Sequence, residues 1–488
     1  MRLILPIFCS LALAGCGASG SDGPVNVAII GDSEELFQNG LRLATSAQHL
    51  RAATHEGLVS LDPVGQAVPA IAERWIVTDD GKSYIFRLRD MEWPDGESIT
   101  AQQVRRLLLD KQRRLQGTTL GLDLAKISEV RAMTGRVIEI QLTAAMPEFL
   151  RLLAQPEMGF SNDGTGTGPM ILTRPDETNI AQLRALPPEE RGFAAREDWE
   201  ELARDVYVQA LPAEQAVEAF GNGIADLILN GRLAHLPMAD TGPLTRGTVR
   251  IDAAWGQFGL TFRTEEGLFA RASLREALSM AIDRSDLMRS FNIGGWVPSD
   301  EIVPRSLWTE VEPQELEWAD WPIERRHAAA AGRVAAWVAQ SGEEAEVSIG
   351  MPAGPGSERL YREIEADFAA IGVQARMVAA GQNADLELHD RVARYASPRW
   401  YLNQFNCGIR NGPCSPEADE LVARSLVIND PLEKADLLAQ AELELTDAHV
   451  FIAFGAPIRW SLVRSSVTGY QENRWGLHPL FPLSQPTI

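Results

Sequence analysis

Hydrophobic and polar positions alternate with a period of two in several short segments, and stretches of helical periodicity separate these segments. In residues 83–89 the even-numbered positions are apolar, a pattern typical of a half-buried strand. The turn signal Asp80-Gly81 precedes this segment. Thr100 stands at an expected N-cap position, ahead of apolar residues at helical spacing in 104–108. The pattern therefore predicts a strand over 83–89 and a helix that begins after Thr100.

The alternation of strand and helix patterns continues to the end of the chain. Strand patterns occur in the apolar segments 25–30, 347–351, 384–388 and 451–463. Helical patterns occur after residue 213 and in the segments 274–284, 325–338 and 360–371. Such alternation predicts an α/β fold, in which helices cover the faces of sheets. The length of 488 residues fits two large lobes.

The N-terminus has the features of an export signal. Arg2 precedes an apolar run at 3–13, which is too short to cross a bilayer, because a spanning helix needs about 20 residues. Residues 13–16, Leu-Ala-Gly-Cys, resemble a bacterial lipobox, so we expect residues 1–15 to be a signal peptide and Cys16 to be lipidated. An ordinary secretory signal that contains a cysteine is the alternative. Residues 16–23 then form the lipidated cysteine and a flexible Gly/Ser tether.

This lipid is expected to be the only membrane anchor, on the periplasmic side of the cell envelope. Position 17 is Gly, whereas the common inner-membrane retention signal has Asp there, so the inner or outer membrane stays undecided. The net charge of −22 favours solubility and excludes nucleic acid as a partner, because phosphates need a basic surface. It does not define the ligand, since a cleft can carry its own local charge.

The sequence lacks the motifs of common catalytic and metal sites. His55-Glu56 is not followed by a second histidine at zincin spacing, and no Gly-x-Ser-x-Gly elbow occurs. The histidines are scattered, at positions 49, 55, 235, 327, 389, 449 and 478. We therefore expect no enzyme, no metal site and no cofactor.

Four segments near the N-terminus resemble one protein family. They are HEGLV at 55–59, PAIAERW at 69–75, DDGKSYIFRLR at 79–89 and WPDGESITAQQV at 93–104. A further match is LREALSMAIDR at 274–284. Together they resemble the extracytoplasmic solute-binding proteins of family 5, the peptide, opine and nickel receptors of ABC importers.

The resemblance implies a two-lobe, periplasmic-binding-protein-like α/β fold with a hinged cleft between the lobes. Lobe 1 would comprise residues 24–247 with 456–488, including an extra subdomain at about 58–160, and lobe 2 would comprise 248–455. The implied partners are a small-molecule or peptide ligand and an ABC permease with its ATPase. The receptor is expected to be a monomer that does no chemistry on its ligand.

In the resembled family, one segment that lines the cleft follows the strand equivalent to 384–388. Here Tyr395 and Pro398 fit the family pattern Asp-Tyr-x-x-Pro, but Arg391 and Arg394 stand where relatives often have an aromatic or acidic residue. Residues 406–414 offer no acid to hold a peptide's amino terminus. Arginines suit a carboxylate or phosphate, which predicts an anionic or amine-blocked ligand. The alternative is that they are solvated or paired with surface acids.

Two residues on the strand that crosses between lobes, Trp255 and Gln257, are further candidates, with core packing as the alternative. The full set of predicted ligand-binding residues is Trp255, Gln257, Arg391, Arg394, Tyr395, Asn406 and Arg410.

Cysteine usage supports export to an oxidising compartment. Cys9 would leave with the signal and Cys16 would carry the lipid, so only Cys407 and Cys414 remain. A disulfide between them is expected, and a two-cysteine metal site is the alternative.

Two functions from different classes follow. The first is a substrate-binding lipoprotein of an ABC importer that captures a peptide-like or other small anionic solute. The second is an envelope structural or chaperone-like lipoprotein that keeps the receptor fold without import.

Overall fold

The structure is a computed structural model that describes residues 23–133, 135–162, 164–175, 178–239 and 247–485. The predicted signal peptide, the lipidated Cys16 and the tether up to residue 22 lie outside these residues. Among the described helices, none is long and apolar enough to cross a membrane.

The described strands and helices alternate along the chain. The strands are β1 Val25–Ile30, β2 Val59–Leu61, β3 Ala67–Pro69, β4 Ala72–Val77, β5 Ser83–Leu88, β6 Ile127–Ala132, β7 Val137–Leu142, β8 Ser161–Asn162, β9 Thr165–Gly166, β10 Met170–Thr173, β11 Ile180–Ala185, β12 Val206–Leu211, β13 Leu227–Arg232, β14 Val249–Ala253, β15 Gly256–Phe262, β16 Glu346–Met351, β17 Gln374–Ala379, β18 Leu386–Val392, β19 Phe451–Gly455 and β20 Ile458–Val463. The helices are α1 Thr45–Thr54, α2 Ala101–Arg114, α3 Thr119–Leu124, α4 Phe149–Leu153, α5 Trp199–Leu202, α6 Ala213–Gly221, α7 Ala272–Ala281, α8 Arg284–Leu287, α9 Ile323–Ser341, α10 Pro355–Ala370, α11 Pro398–Asn403, α12 Pro416–Arg424 and α13 Pro431–Asp447.

Three sheets organise the chain. A seven-stranded sheet has the order β10-β11-β12-β1-β13-β20-β14, and we call the elements around it lobe 1. A five-stranded sheet has the order β17-β16-β18-β15-β19, and we call its surroundings lobe 2. A four-stranded sheet, β4-β5-β7-β6, forms what we call the subdomain with α2 and α3. Strand β1 pairs in parallel with both β12 and β13, so the carboxyl ends of these strands meet at one edge.

The subdomain forms as the local pattern predicts. In β5, Tyr84, Phe86 and Leu88 are buried, and they pack into an apolar core that extends to α11, α12 and α13. Helix α2 begins after Thr100, whose hydroxyl accepts a hydrogen bond from the Gln103 amide nitrogen at 3.3 Å. The Gln103 side chain bonds back to the Thr100 amide at 2.9 Å, which completes a capping box.

The chain passes between the two large sheets twice. Strand β14 belongs to the seven-stranded sheet and β15 to the five-stranded sheet, so the first crossing falls at residues 254–255 rather than near the expected residue 248. The second crossing, between β19 and β20, falls at residues 456–457. Motion of one lobe relative to the other must therefore pass through these two short connections.

The expected disulfide is confirmed, because Cys407 and Cys414 are bonded and their Cα atoms are 5.4 Å apart. Their sequence separation is seven residues, and closing so short a loop contributes about 2.5 kcal/mol by the chain-entropy relation.

We expect the Cys407→Ser, Cys414→Ser double variant to lose about 2.5 kcal/mol of its free energy of unfolding, measured by urea denaturation. Reduction of the unmodified protein should cause the same loss, whereas reductant should leave the double variant unchanged. Equal stability of oxidised protein and variant would contradict this expectation.

Candidate ligand-binding site

Two adjoining cavities lie where lobe 1, lobe 2 and the subdomain meet. The inner cavity has a volume of about 220 Å³ and the outer cavity about 570 Å³. Thr119 of the subdomain and Arg391 and Arg394 of lobe 2 line both of them. Lobe 1 contributes α1 and the carboxyl end of β13 to the inner wall. Clefts of this kind, between domains and at the carboxyl ends of strands, are the usual places for small ligands.

The carboxyl end of β13 has an irregular backbone at the inner cavity. Asn230 has a φ of 64°, which is uncommon for a residue other than glycine, and the register with β20 shifts between Ile228 and Gly231. The Asn230 side-chain amide donates to the Ile30 carbonyl at 2.7 Å, and this bond holds the conformation. The next-but-one residue, Arg232, lines the cavity.

Arg232 has no ion-pair partner within 4 Å among the described residues. Its guanidinium donates to the Thr45 hydroxyl at 3.4 Å. Desolvation and then the charge of Arg459, its register neighbour on β20, lower the pKa of Arg232 from its ordinary value. The charges of Asp390 and Glu35 act in the opposite direction, but neither acid lies within ion-pair distance of Arg232.

A salt bridge between the two lobes forms part of the wall of the inner cavity. Arg459 on β20 of lobe 1 donates to the Asp390 carboxylate on β18 of lobe 2 at 2.7 Å. Both side chains are largely covered, with 6% and 12% of their surface exposed. The pair therefore joins the two large sheets beside the second chain crossing.

Arg391 presents its guanidinium to both cavities. It donates to the Gln404 side-chain oxygen at 3.3 Å, and no carboxylate in the described parts of the chain lies within ion-pair distance. Arg391 is an exposed residue. Partial desolvation in the cleft, and then the charge of Arg394, lower its pKa. The structure thus places this predicted residue where a bound anion can reach it.

Arg394 lines the same cavities but is neutralised by the protein. Its two terminal nitrogens donate to the two carboxylate oxygens of Glu157, at 2.9 and 2.8 Å. Glu157 is 1% exposed, so the pair is formed with a buried acid of the subdomain rather than with a surface acid. Arg394 therefore differs from Arg391, because its charge is already compensated.

Tyr395 lies behind the cavities in the contact between lobe 2 and the subdomain. It is fully buried, and its hydroxyl donates to Asp123 on α3 at 2.6 Å. Asn403 donates to the same carboxylate oxygen at 2.8 Å. Burial raises the pKa of Asp123 to about 6, although Arg399, Tyr395 and Asn403 act in the opposite direction. The predicted ligand contact of Tyr395 is therefore replaced by a bond that joins two parts of the protein.

The remaining predicted residues do not line these two cavities. Gln257 is buried, donates to the Ile302 and Tyr401 carbonyls and bonds His389, so its side chain is fully engaged. Trp255 lines a separate cavity of about 770 Å³ beside the two chain crossings. Asn406 accepts the Gly408 amide in a turn at 3.0 Å. Arg410 donates to the Phe262 carbonyl at 3.2 Å, and burial lowers its pKa to about 9.

Sequence reasoning missed Arg232, Asp390, Glu157 and Arg459. One usable signal was available, because Arg232 follows the apolar segment 227–229 and strand ends commonly carry site residues. The pairing of Arg394 with Glu157 spans 237 positions, and that of Arg459 with Asp390 joins two different sheets. Neither leaves a local pattern in the sequence.

Comparison with known proteins places the chain in a family. Residues 66–411 match the domain described as bacterial extracellular solute-binding proteins, family 5 Middle. The dipeptide-binding protein of Pseudomonas aeruginosa is 23% identical over 442 residues, which cover 77% of this chain and 79% of that protein. The periplasmic oligopeptide-binding protein OppA of Salmonella typhimurium is 22% identical over 529 residues, covering 94% and 93%.

Solved structures show a similar fold. Haemophilus influenzae OppA in complex with the peptide RPPGFSPFR has a TM-score of 0.79 at 16% identity, covering 95% of this chain and 99% of that one. The Escherichia coli murein tripeptide-binding protein MppA has a TM-score of 0.76 at 18% identity, covering 96% and 99%. The predicted α/β fold of the periplasmic-binding-protein type is confirmed. Since the family match spans more than half of its residues, the chain belongs to family 5 of the bacterial extracellular solute-binding proteins.

Proposed function

We propose that this protein is the solute receptor of an ABC importer and captures an anionic solute between its two lobes. The observation that carries the proposal is the guanidinium of Arg391, which faces both cavities without a carboxylate partner among the described residues. An arginine that lines a cleft without a carboxylate partner is available to a bound anion, and arginine pairs well with carboxylates and phosphates. The related proteins, which are periplasmic substrate-binding proteins rather than enzymes, support the receptor role.

The proposed mechanism is closure of the lobes around the ligand. The structure already joins its parts near the cavities, through Arg459 with Asp390 between the large sheets and Tyr395 with Asp123 between lobe 2 and the subdomain. A ligand that contacts both lobes adds interactions that exist only in the closed arrangement, so it shifts the population toward the closed state. The closed receptor then presents the solute to a permease, whose ATPase supplies the energy for transport.

The placement in the cell is part of the same proposal. Cys16 would hold the protein, as a monomer, on the periplasmic side of either the inner or the outer membrane through its lipid. The homologues are periplasmic binding proteins, which supports export.

We expect Arg391→Ala to weaken binding of the physiological solute by about 10- to 100-fold, because one charge-assisted contact is worth about 1.5–3 kcal/mol. The solute is first identified by native mass spectrometry of protein purified from its own envelope, and its affinity is then measured by titration calorimetry. Arg74→Ala is the matched control, because Arg74 lies on β4 with 69% of its side chain exposed.

Tight binding of unmodified di- or oligopeptides that depends on an acidic residue would contradict the anionic ligand. A protein that purifies without any solute, and whose melting temperature is unchanged by peptides, opines and metals, would favour the structural or chaperone-like lipoprotein instead.

A further inference from the structure

The charges around the two cavities do not balance. The arginines that line them are Arg42, Arg232, Arg391, Arg394 and Arg459, and the acids are Glu35, Glu157 and Asp390. The described lining therefore has an excess of two positive charges, within a chain whose overall net charge is −22. Since the protein as a whole is acidic, this local excess is a property of the site.

Two arginines of the inner cavity have no carboxylate in ion-pair contact. Arg394 pairs with Glu157, and Arg459 pairs with Asp390. Arg232 and Arg391 bond only to a hydroxyl and an amide oxygen in the described structure, although the more distant charges of Asp390 and Glu35 favour the charged form of Arg232. Both arginines face the inner cavity of about 220 Å³.

The two unpaired arginines belong to different lobes. Arg232 ends β13 of the seven-stranded sheet, and Arg391 lies on β18 of the five-stranded sheet. Both line the inner cavity, so its wall carries one positive charge from each lobe. A ligand that contacts both arginines therefore joins the lobes.

We propose that the ligand is a dianion, whose two negative charges are held between Arg232 and Arg391 in the inner cavity. This inference rests on the proposed receptor function and specifies its ligand class. A volume of about 220 Å³ is below the usual 300–1,000 Å³ of a complete ligand pocket, so the inner cavity accommodates the charged head and the outer cavity the remainder. Two carboxylates or one phosphate monoester satisfy this charge requirement.

The same geometry disfavours a ligand with a free ammonium group in the inner cavity. The acid there is Asp390, and the Arg459 guanidinium already occupies it at 2.7 Å. Glu157, which lines the outer cavity, is likewise held by both terminal nitrogens of Arg394. Glu35 also lines the outer cavity and has no ion pair in the described structure, so an ammonium is disfavoured in the inner cavity only. There, a buried ammonium would displace an existing partner or remain unpaired, and both cost free energy.

The test is titration calorimetry of the full mature protein with four defined probes. Glutarate and inorganic phosphate are the dianionic probes, acetate is the monoanion and alanyl-alanine is the zwitterionic peptide. The variants are Arg232→Ala and Arg391→Ala, with the exposed Arg74→Ala as the control. We expect at least one dianion to bind, acetate and alanyl-alanine to bind at least 10-fold more weakly, and each of the two variants to lose about 10- to 100-fold in affinity.

The outcomes separate this inference from the receptor function. Preferential binding of alanyl-alanine that is lost in Arg391→Ala would overturn the dianion and keep the receptor. Dianion binding that is unchanged in both variants would place the anion elsewhere and overturn the inference. If none of the four probes binds, the co-purified solute decides between the proposals. A solute with fewer than two negative charges overturns the dianion inference but not the receptor function. The absence of any solute contradicts both proposals. Whether glutarate or phosphate binds shows whether the two negative charges come from two carboxylates or from one phosphate group.

Discussion

Replacing Glu157 by alanine is expected to lower the free energy of unfolding by about 3–5 kcal/mol, because it leaves the charge of Arg394 without its buried partner. Glu157 is 1% exposed and binds Arg394 through both carboxylate oxygens, at 2.8 and 2.9 Å. The loss is measured by urea denaturation at neutral pH. Glu129→Ala is the matched control, since Glu129 and its partner Arg131 are both about half exposed, and exposed pairs contribute little to stability.

The same pair predicts how this loss depends on pH. Burial alone would raise the pKa of Glu157, yet the charge and hydrogen bonds of Arg394 lower it below the ordinary value of 4.5. A depressed pKa in the folded state means that the carboxylate stabilises the fold above pH 4.5 and ceases to do so as the pH falls through the folded-state pKa. The difference in free energy of unfolding between the unmodified protein and Glu157→Ala should therefore become smaller at acidic pH.

A double variant shows whether the charge causes the effect. Glu157→Leu together with Arg394→Leu removes both charges, and we expect it to recover most of the lost stability, because replacing a buried pair by apolar residues is often neutral. A loss below about 1 kcal/mol in Glu157→Ala would contradict the structural role of the pair. Arg394 would then be free to contact a ligand, as the sequence alone had suggested.

Local patterns accounted for much of the fold. The period-two segment became β5, and the capping signal at Thr100 placed the start of α2 correctly. Both depend on interactions between residues close in sequence, so a single chain contains the needed information. Strand β17 was not predicted, since Gln374–Ala379 is largely exposed and shows no clear alternation of buried positions.

The candidate site was predictable only in part. Arg391 was selected from its place in a family segment, and the structure brings it to the cavities. Arg394 was selected by the same reasoning, yet Glu157 neutralises it from 237 positions away. Arg232 was missed because its role in the site depends on Arg391, which belongs to another sheet and lines the same cavity. Which charges remain unpaired is a property of the assembled structure.

Fold and specificity separate clearly in this family. The chain shares its fold with proteins whose structures contain the peptide RPPGFSPFR or agropinic acid, at 16% and 18% identity. Such a scaffold fixes where a ligand lies but not which ligand is taken, and the side chains of the cleft decide the latter. The proposed dianion site assigns this choice to Arg232 and Arg391, which belong to different lobes.

The second large effect is expected at the first chain crossing, where Gly256→Ala should lower the free energy of unfolding by more than about 3 kcal/mol. Gly256 has a φ of +152°, and a Cβ at this position would lie 2.0 Å from the Arg391 carbonyl oxygen. Its register partner on β18 is Val392, so relief of this clash must separate the two strands. Because Arg391 lies on the displaced strand, the variant should also bind the solute more weakly.

Gly332→Ala is the matched control for this substitution. Gly332 lies within α9, and a Cβ there would meet no atom within 4 Å. Alanine is the better helix former, so we expect a gain of about 0.5–1 kcal/mol instead of a loss. Urea denaturation and calorimetry are performed on both variants. Equal stabilities would show that β15 can shift at residue 256 without cost. Arg391 could then occupy different positions relative to lobe 1, which would argue against a rigid binding site formed by both lobes.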